Sequence, residues 1–474
     1  MEPIIAALNA ALNFVYNNIL SIAMLVLLIA VGAFLTVRLG GFQFRRFGYI
    51  MKNTVGSLFD KSQHSKDKGS VSPFQAVTTA LAGTIGTGSI AGVATALVAG
   101  GPGAIFWMWV SALLGMVTKY AEIVLSLKYR EKNKDGAWCG GPMYYIQNGL
   151  GKKWLAAVFA VFAMIACIGT GNATQSNSIA GVVKESLHVP TWVTGLVLTV
   201  LATVVILGGV KRIASVNEKL VPIMAVFFIL SSVLALLLNI TSIPKAFALI
   251  FSEAFTFKSA AGGVLGYGIL SAMRYGVGRG VFSNEAGLGS APIAHAASST
   301  KDPVKQGLWG SFEVFITTIV ICTMSALVVL TSNIYMDAFN SGIFPEELNG
   351  AMLSAAAYGE ALPYVGKAVI SVATVFFALS TILGWAYYGE VSATYLFKHN
   401  QKKAVLVYRI VYIAFIFVGA VAKIDIVWLV ADCFNALMAL PNLIALISLS
   451  WVVVSVTKIH FANNKKLKIA ERKK

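Results

Sequence analysis

Charge is what this 474-residue chain has least of: 12% of it is Asp, Glu, Lys or Arg, about half the share usual in a soluble globular protein. Acidic residues are the scarcer sign, 20 against 37 basic, for a formal net charge of +17. Four cysteines occur (Cys139, Cys167, Cys322 and Cys433), scattered and without metal-ligand spacing, so neither a disulfide framework nor a metal centre is expected. The start, Met1-Glu2-Pro3, lacks the basic region of a secretory signal, and the first apolar run therefore reads as a retained span. No paired carboxylates, metal cluster or activated nucleophile point to an enzyme.

What is present is hydrophobicity. Apolar residues make up 57% of the chain, and the mean hydropathy is +0.76. Apolar runs fall near 14–37, 74–99, 104–127, 154–183, 191–209, 220–240, 262–277, 308–331, 365–397, 404–422 and 426–457. A membrane-spanning helix needs roughly 20 such residues, so these eleven runs predict an all-α polytopic membrane protein. Lys and Arg cluster in Arg38–Lys68, Lys128–Lys153, Lys211–Lys219, Lys398–Lys403 and Lys458–Lys474. That is the positive-inside pattern. It predicts a multi-pass protein of the cell membrane with the N-terminus outside and the C-terminus cytoplasmic. The loop holding Asp337, Glu346, Glu347 and Glu360 then falls outside. Basic residues dispersed in this way do not suit nucleic acid, because no basic, aromatic-interleaved soluble domain exists to bind it. Residues 38–72 mix Arg45, Arg46 and Lys52 with Phe42, Phe44, Phe47 and Tyr49, which suits an amphipathic stretch on the inner lipid surface. Residues 60–70 read equally well as a solvated basic loop.

Two runs are rich in glycine. The second carries Thr84-Ile85-Gly86-Thr87-Gly88-Ser89. The seventh carries Gly266-Tyr267-Gly268 and then Tyr275-Gly276-Val277-Gly278-Arg279-Gly280. Glycine inside a helix costs about 1 kcal/mol relative to alanine, and exposed backbone in hydrocarbon must find partners or line a cavity. Close helix crossing through small residues would also account for either run. Two such runs, five spans apart, predict a 5+5 inverted repeat with discontinuous first helices. The expected divisions are 1–72, an N-terminal helix and amphipathic segment; 73–260, the first five helices; 261–457, the second five; and 458–474, a basic tail.

A helix broken at mid-membrane offers N–H groups on one half, suited to a carboxylate, and carbonyls on the other. The half beginning near Gly88 or Ser89 supplies the donors. The half ending at Ala82 to Ile85 supplies carbonyls for a hard cation, and Thr84, Thr87 and Ser89 add hydroxyls without charge. Ser380 and Thr381, just after Phe377, form a second cation signal, although membrane-helix hydroxyls commonly bond the carbonyl four residues back. The polar run Gly169–Ser178 is a further signal, with Gln175 and Asn177 able both to donate and to accept, matching an ammonium and a carboxylate. Trp385, one turn beyond Thr381, is a candidate wall limiting substrate size. Lys119 and Glu122, three residues apart, are expected to pair. Glu313, Glu390 and Asp432 read as structural.

The stretches Gly83–Thr95, Gly100–Ala104, Lys119–Glu122, Gly141–Tyr145 and Arg279–Pro292 resemble the alanine or glycine:cation symporter family. That family is similar in fold to the amino acid–sodium symporters of the leucine-transporter type. The resemblance implies sodium ligands from the carbonyls of Ala82, Ile85 and Phe377 and the hydroxyls of Ser380 and Thr381. It implies substrate contacts from Thr84, Gly86, Thr87, Gly88, Gln175 and the seventh span around Met273. Ser89 stands where sodium symporters of the wider fold often carry Asn. Sodium-coupled uptake of a small neutral amino acid by alternating access is the expectation. An uncoupled or proton-coupled carrier using the same site is the alternative. The motif Ser283–Ala297 is expected at the cytoplasmic mouth as a gate or a packed re-entrant segment.

Overall fold

The computed structural model describes Phe14 and residues 20–57, 71–134, 136–255, 268–345, 348–422 and 424–472. The basic loop 58–70, and Gly266 and Tyr267, lie outside the described residues. Hydrocarbon offers the backbone no hydrogen-bond partners, so a spanning chain must bond to itself, and nearly every element is a helix. Long helices are α1 (Ser21–Arg38), α4 (Gly103–Tyr129), α8 (Gly209–Leu238), α13 (Gly366–Leu396), α14 (Gln401–Val421) and α15 (Ile424–Ser448). Two more are continuous through a π-helical turn. α5 (Lys153–Ile168) passes through Gly169–Ala173 into α6 (Thr174–Leu187), and α11 (Pro303–Val314) passes through Phe315–Cys322 into α12 (Thr323–Leu330). These eight are long and apolar enough to cross a membrane. Shorter apolar helices are α3 (Ala91–Gly100) and α7 (Thr191–Ile206), and α16 (Ser450–Arg472) follows the last span. Near the chain start, Phe42–Arg45 and Phe47–Asn53 are short helices whose Phe44, Arg45 and Arg46 face outward.

The first broken span begins cleanly. Ser72 Oγ accepts from the Gln75 N–H at 3.0 Å while Gln75 Oε1 accepts from the Ser72 N–H at 3.0 Å, a capping box ahead of α2 (Pro73–Thr84). α2 stops at Thr84. Ile85 and Gly86 are non-helical, Thr87–Ser89 make one 3₁₀ turn, and α3 resumes at Ala91.

The seventh span breaks elsewhere than its glycines suggest. α9 (Ile269–Asn284) runs straight through Gly276, Gly278 and Gly280. A Cβ on Gly276 would lie 2.2 Å from the Ala104 carbonyl oxygen, and one on Gly280 would lie 3.1 Å from Met108 Cγ. Those two glycines let α9 press against α4, the close-crossing use of small residues. The interruption is Glu285–Ser290, with Glu285 (φ 58°), Gly287 (φ 91°) and Gly289 (φ 82°) in the left-handed region. α10 (Ala291–Ala296) follows. The motif from Ser283 to Ala297 therefore holds the unwound centre of a broken span, Glu285–Ser290, together with α10, and is buried throughout.

The two broken spans lie antiparallel. At one end the Ser271 hydroxyl donates to the Ala99 carbonyl at 3.3 Å. In the middle Ser89 and Ser283 hydroxyls meet at 3.0 Å. At the other end the Val71 N–H donates to the Ala297 carbonyl at 3.2 Å, and the Ser299 N–H to that of Val71 at 2.9 Å. An inverted repeat requires this side-by-side, opposite-running pair.

Candidate functional site

The site grows from the end of α2. Its last carbonyls have no following turn to accept from, so other groups reach them. Thr381 on α13 donates to the Ala82 carbonyl at 2.9 Å and to its own helix at Phe377, also 2.9 Å. Ser380 does the same at 3.4 and 2.9 Å. Ala82, Phe377, Ser380 and Thr381 are thus one buried cluster of oxygens, and Ile85, 1% exposed, leaves the helix immediately beside it. A hard cation takes oxygen ligands, and this donor set contains nothing else.

Gly86 sits between that cluster and the next. A Cβ there would lie 2.6 Å from Thr381 Oγ1 and 3.4 Å from Gln175 Oε1. Gln175 Oε1 accepts from the Thr87 N–H at 3.2 Å and the Thr87 hydroxyl at 3.0 Å. Its Nε2 donates to the Thr170 carbonyl at 3.0 Å, within the π-helical turn. Such single-turn π segments shift helical register, and they are frequent at functional sites. Thr84 turns its hydroxyl back to Ala80 and Leu81 in its own helix. Asn177 bonds the Gly419 and Ala422 carbonyls at 2.9 and 2.8 Å and so ties α6 to α14.

Three candidates stand differently from the sequence reading. Gly88 faces the other broken span: a Cβ would lie 2.7 Å from Phe282 Cδ1 and 3.2 Å from Ser283 Cα. Met273 is half-buried and lies twelve residues before Glu285 on unbroken helix, about 18 Å along the axis. The structure does not bring it to the cluster, because the break is at Glu285–Ser290. Trp385 directs its indole N–H to Glu285 Oε1 at 2.8 Å and to the Gly83 carbonyl at 3.3 Å. A Cβ on Gly171 would fall 2.2 Å from Trp385 Cβ.

The buried charges also pair across the fold rather than along a helix. Lys119 bonds Glu313 at 2.9 Å and the Asn284 carbonyl at 2.8 Å, not Glu122. Glu122 instead accepts from the Gly289 N–H at 3.1 Å and Asn442 at 2.5 Å. Helix spacing alone offers Lys119 only a local partner; the unwound segment draws both side chains to itself. Glu313 also meets His295 at 2.7 Å, Glu390 holds Arg409 at 2.7 and 2.8 Å, and Asp432 holds Arg279 at 3.2 Å.

A cavity of about 760 Å³ opens beside α1, α9 and α15; Asn177 and Ser178 line it, whereas the oxygen cluster, Gly86 and Gln175 do not. Phe282 links the two. It borders the cavity, contacts Trp428 at a ring separation of 5.0 Å, and lies over Gly88. Sequence reading missed Phe282, Glu285 and Tyr388. The acidic residue and alternating glycines of Glu285-Ala286-Gly287-Leu288-Gly289 were the available signal.

One broken span meets α13 at an oxygen cluster and lies antiparallel to the other, in a fold that known proteins share. A model of the sodium:alanine symporter family matches residues 5–474. The chain belongs to that family. It is 46% identical over 458 residues to the sodium/alanine symporter AgcS of Methanococcus maripaludis, covering 96% of each chain. It is 38% identical over 432 residues to the amino-acid carrier protein AlsT of Bacillus subtilis, covering 91% of this chain and 88% of that one. Among solved structures it resembles MhsT in complex with L-phenylalanine, with a TM-score of 0.56 and 13% identity over 79% of this chain and 89% of that one. A Na⁺-coupled sialic acid symporter gives a TM-score of 0.53 at 13% identity, over 85% and 82%. These likenesses fix the fold as that of the leucine-transporter type. Members of the family are membrane transporters, not enzymes, and this chain is a multi-pass symporter of that family.

Proposed function

We propose that this protein takes up a small neutral amino acid, such as alanine or glycine, together with sodium, by alternating access. One observation carries the reading. Thr381 and Ser380 of α13 point their hydroxyls at the carbonyl that α2 leaves free at its broken end. Sodium is here a co-transported substrate held by Ala82, Ile85, Phe377, Ser380 and Thr381. Bound there, it fastens α2 to α13 and fixes Gly86 and Thr87 beside Gln175.

The amino acid's carboxylate meets the N–H groups of Gly86 and Gly88, in the turn that leads into the positive end of α3. Thr84 and Gln175 complete the polar contacts, and Trp385, packed against Gly171 and bonded to the Gly83 carbonyl, is the wall that limits the side chain. That wall favours hydrogen or methyl as the side chain, since one methylene in an apolar pocket is worth about 1–3 kcal/mol. The inward sodium gradient drives reorientation, at about 2.3 kcal/mol per charge per 100 mV.

Among the described residues, both broken spans and α7 bring the crossings to eleven, α1 followed by five in 73–260 and five in 261–457, with the N-terminus outside and the basic C-terminus in the cytoplasm. Lipid surrounds the apolar exterior. The deciding experiment is labelled alanine and glycine uptake into proteoliposomes under sodium, lithium or proton gradients. Uptake that needs sodium supports the reading; uptake indifferent to sodium replaces it with a facilitator.

A further inference from the structure

Glu285 takes no part in the sodium cluster, yet it stands where the two broken spans and α13 meet. It is 1% exposed. Its Oε1 accepts from Trp385 at 2.8 Å, and its Oε2 pairs with the Ser290 hydroxyl at 2.5 Å. Both partners are neutral. Among the described residues no cation lies within 4 Å of Glu285, because Lys119 is held by Glu313 and the Asn284 carbonyl. An ionised carboxylate buried without a counter-charge is costly enough that such a group usually acquires a partner or a proton.

A second observation marks the spot. Tyr388 is fully buried, and among the described residues its hydroxyl has no hydrogen-bond partner. A Cβ built on Gly83 would lie 2.7 Å from that hydroxyl and 3.1 Å from Glu285 Oε1, so both oxygens converge on one point beside α2. A hard cation takes a shell of several oxygens. Among the described residues the carboxylate has only the Gly83 carbonyl and the Ser290 and Tyr388 hydroxyls for company, in closely packed surroundings. A proton needs no such shell. The other titratable groups facing Glu285 are Lys119 from α4, Glu313 from α11, Cys167 from α5 and Tyr388 from α13; Glu122, bonded to the Gly289 N–H, and His295 of α10, bonded to Glu313, flank the same segment.

We propose that Glu285 is a proton-binding site of the transport cycle. Hydronium on one face of the membrane gives up a proton, an O–H bond forms on the carboxyl with Tyr388 or Ser290 as acceptor, and water on the opposite face removes it. Protonation lets the unwound segment rest beside Gly83 and Trp385; ionisation drives it to seek water. The proton step is therefore tied to movement of α9 and α10 against α2. This adds a second ion to the proposed sodium symport and rests on that reading.

The test uses full-length protein in proteoliposomes with an internal pH dye. Alanine uptake at fixed sodium is measured from about pH 5.5 to about pH 8.5, a window one displaced group can traverse. Wild type moves protons with alanine, and its rate changes with a limb approaching tenfold per pH unit. In Glu285→Gln, which keeps the shape of the protonated form, proton movement vanishes and residual uptake is flat with pH. Tyr388→Phe shifts the midpoint of the limb without flattening it. An unchanged pH profile and proton signal in Glu285→Gln overturns the assignment. So does a flat profile in Glu122→Gln instead, or a lost sodium equivalent in Glu285→Gln with proton movement intact. Absence of sodium-driven uptake in wild type would refute the symport reading itself and is distinguishable from all of these.

Discussion

Thr381 reaches across 299 positions of sequence to hydrogen-bond the Ala82 carbonyl at 2.9 Å. A helix that ends in mid-protein leaves such carbonyls without N–H partners, and a hydroxyl on a neighbouring helix can bond one without bringing charge. The same oxygens can turn their lone pairs to sodium, which makes this contact the hinge of the transport reading.

Thr381→Ala removes one oxygen from a five-oxygen set. A hydrogen bond to a charged group contributes about 1.5–3 kcal/mol, so the sodium concentration for half-maximal uptake should rise about 10- to 100-fold. Helix stability should hardly move, because alanine is the better helix former. Thr381→Ser, which keeps the hydroxyl, should stay near wild type. Sodium titration of alanine uptake in reconstituted protein checks both.

Gly86 and Gly88 should fail differently when enlarged. A methyl on Gly86 meets Thr381 Oγ1 at 2.6 Å, inside the proposed sodium cluster, so Gly86→Ala should weaken sodium more than it weakens folding. Gly88→Val meets Phe282 and the Ser283 backbone and should push the broken spans apart. It should abolish alanine binding with a lowered melting temperature. Calorimetric titration beside thermal denaturation in detergent separates the two.

Lys119→Met leaves Glu313 buried without its cation. Breaking a buried pair by removing one partner costs about 3–5 kcal/mol, whereas replacing both is often neutral. The single variant should therefore be strongly destabilised, and Lys119→Met with Glu313→Gln should recover most of the loss. Thermal unfolding of the four members of this cycle gives the coupling.

Much of this arrangement could be read from the chain alone. Thr84–Ser89 concentrates glycine and hydroxyls within an apolar run, and the first break lies there. Ser380 and Thr381 stood out as paired hydroxyls, and they do meet α2. The second break escaped because glycine served as its signal: Gly276 and Gly280 use their missing side chains for contact with α4, which glycine content does not separate from unwinding. The true break pairs left-handed backbone at Glu285, Gly287 and Gly289 with a charged residue. Lys119 misled for a related reason. Sequence displays Glu122 three residues away, while Glu313 is 194 positions distant and arrives only through the fold. Met273 was carried in by resemblance and Gly88 by the broken-helix argument as well, and neither position alone says which neighbour it meets.

Sodium dependence of alanine uptake is the most direct test of the whole account. Purified protein in proteoliposomes, loaded with potassium and diluted into sodium at fixed pH, should accumulate labelled alanine above its external concentration. Collapse of the sodium gradient should release it. Equal uptake in sodium, lithium and potassium, without accumulation, would contradict the coupling assigned to Ala82, Ile85, Phe377, Ser380 and Thr381.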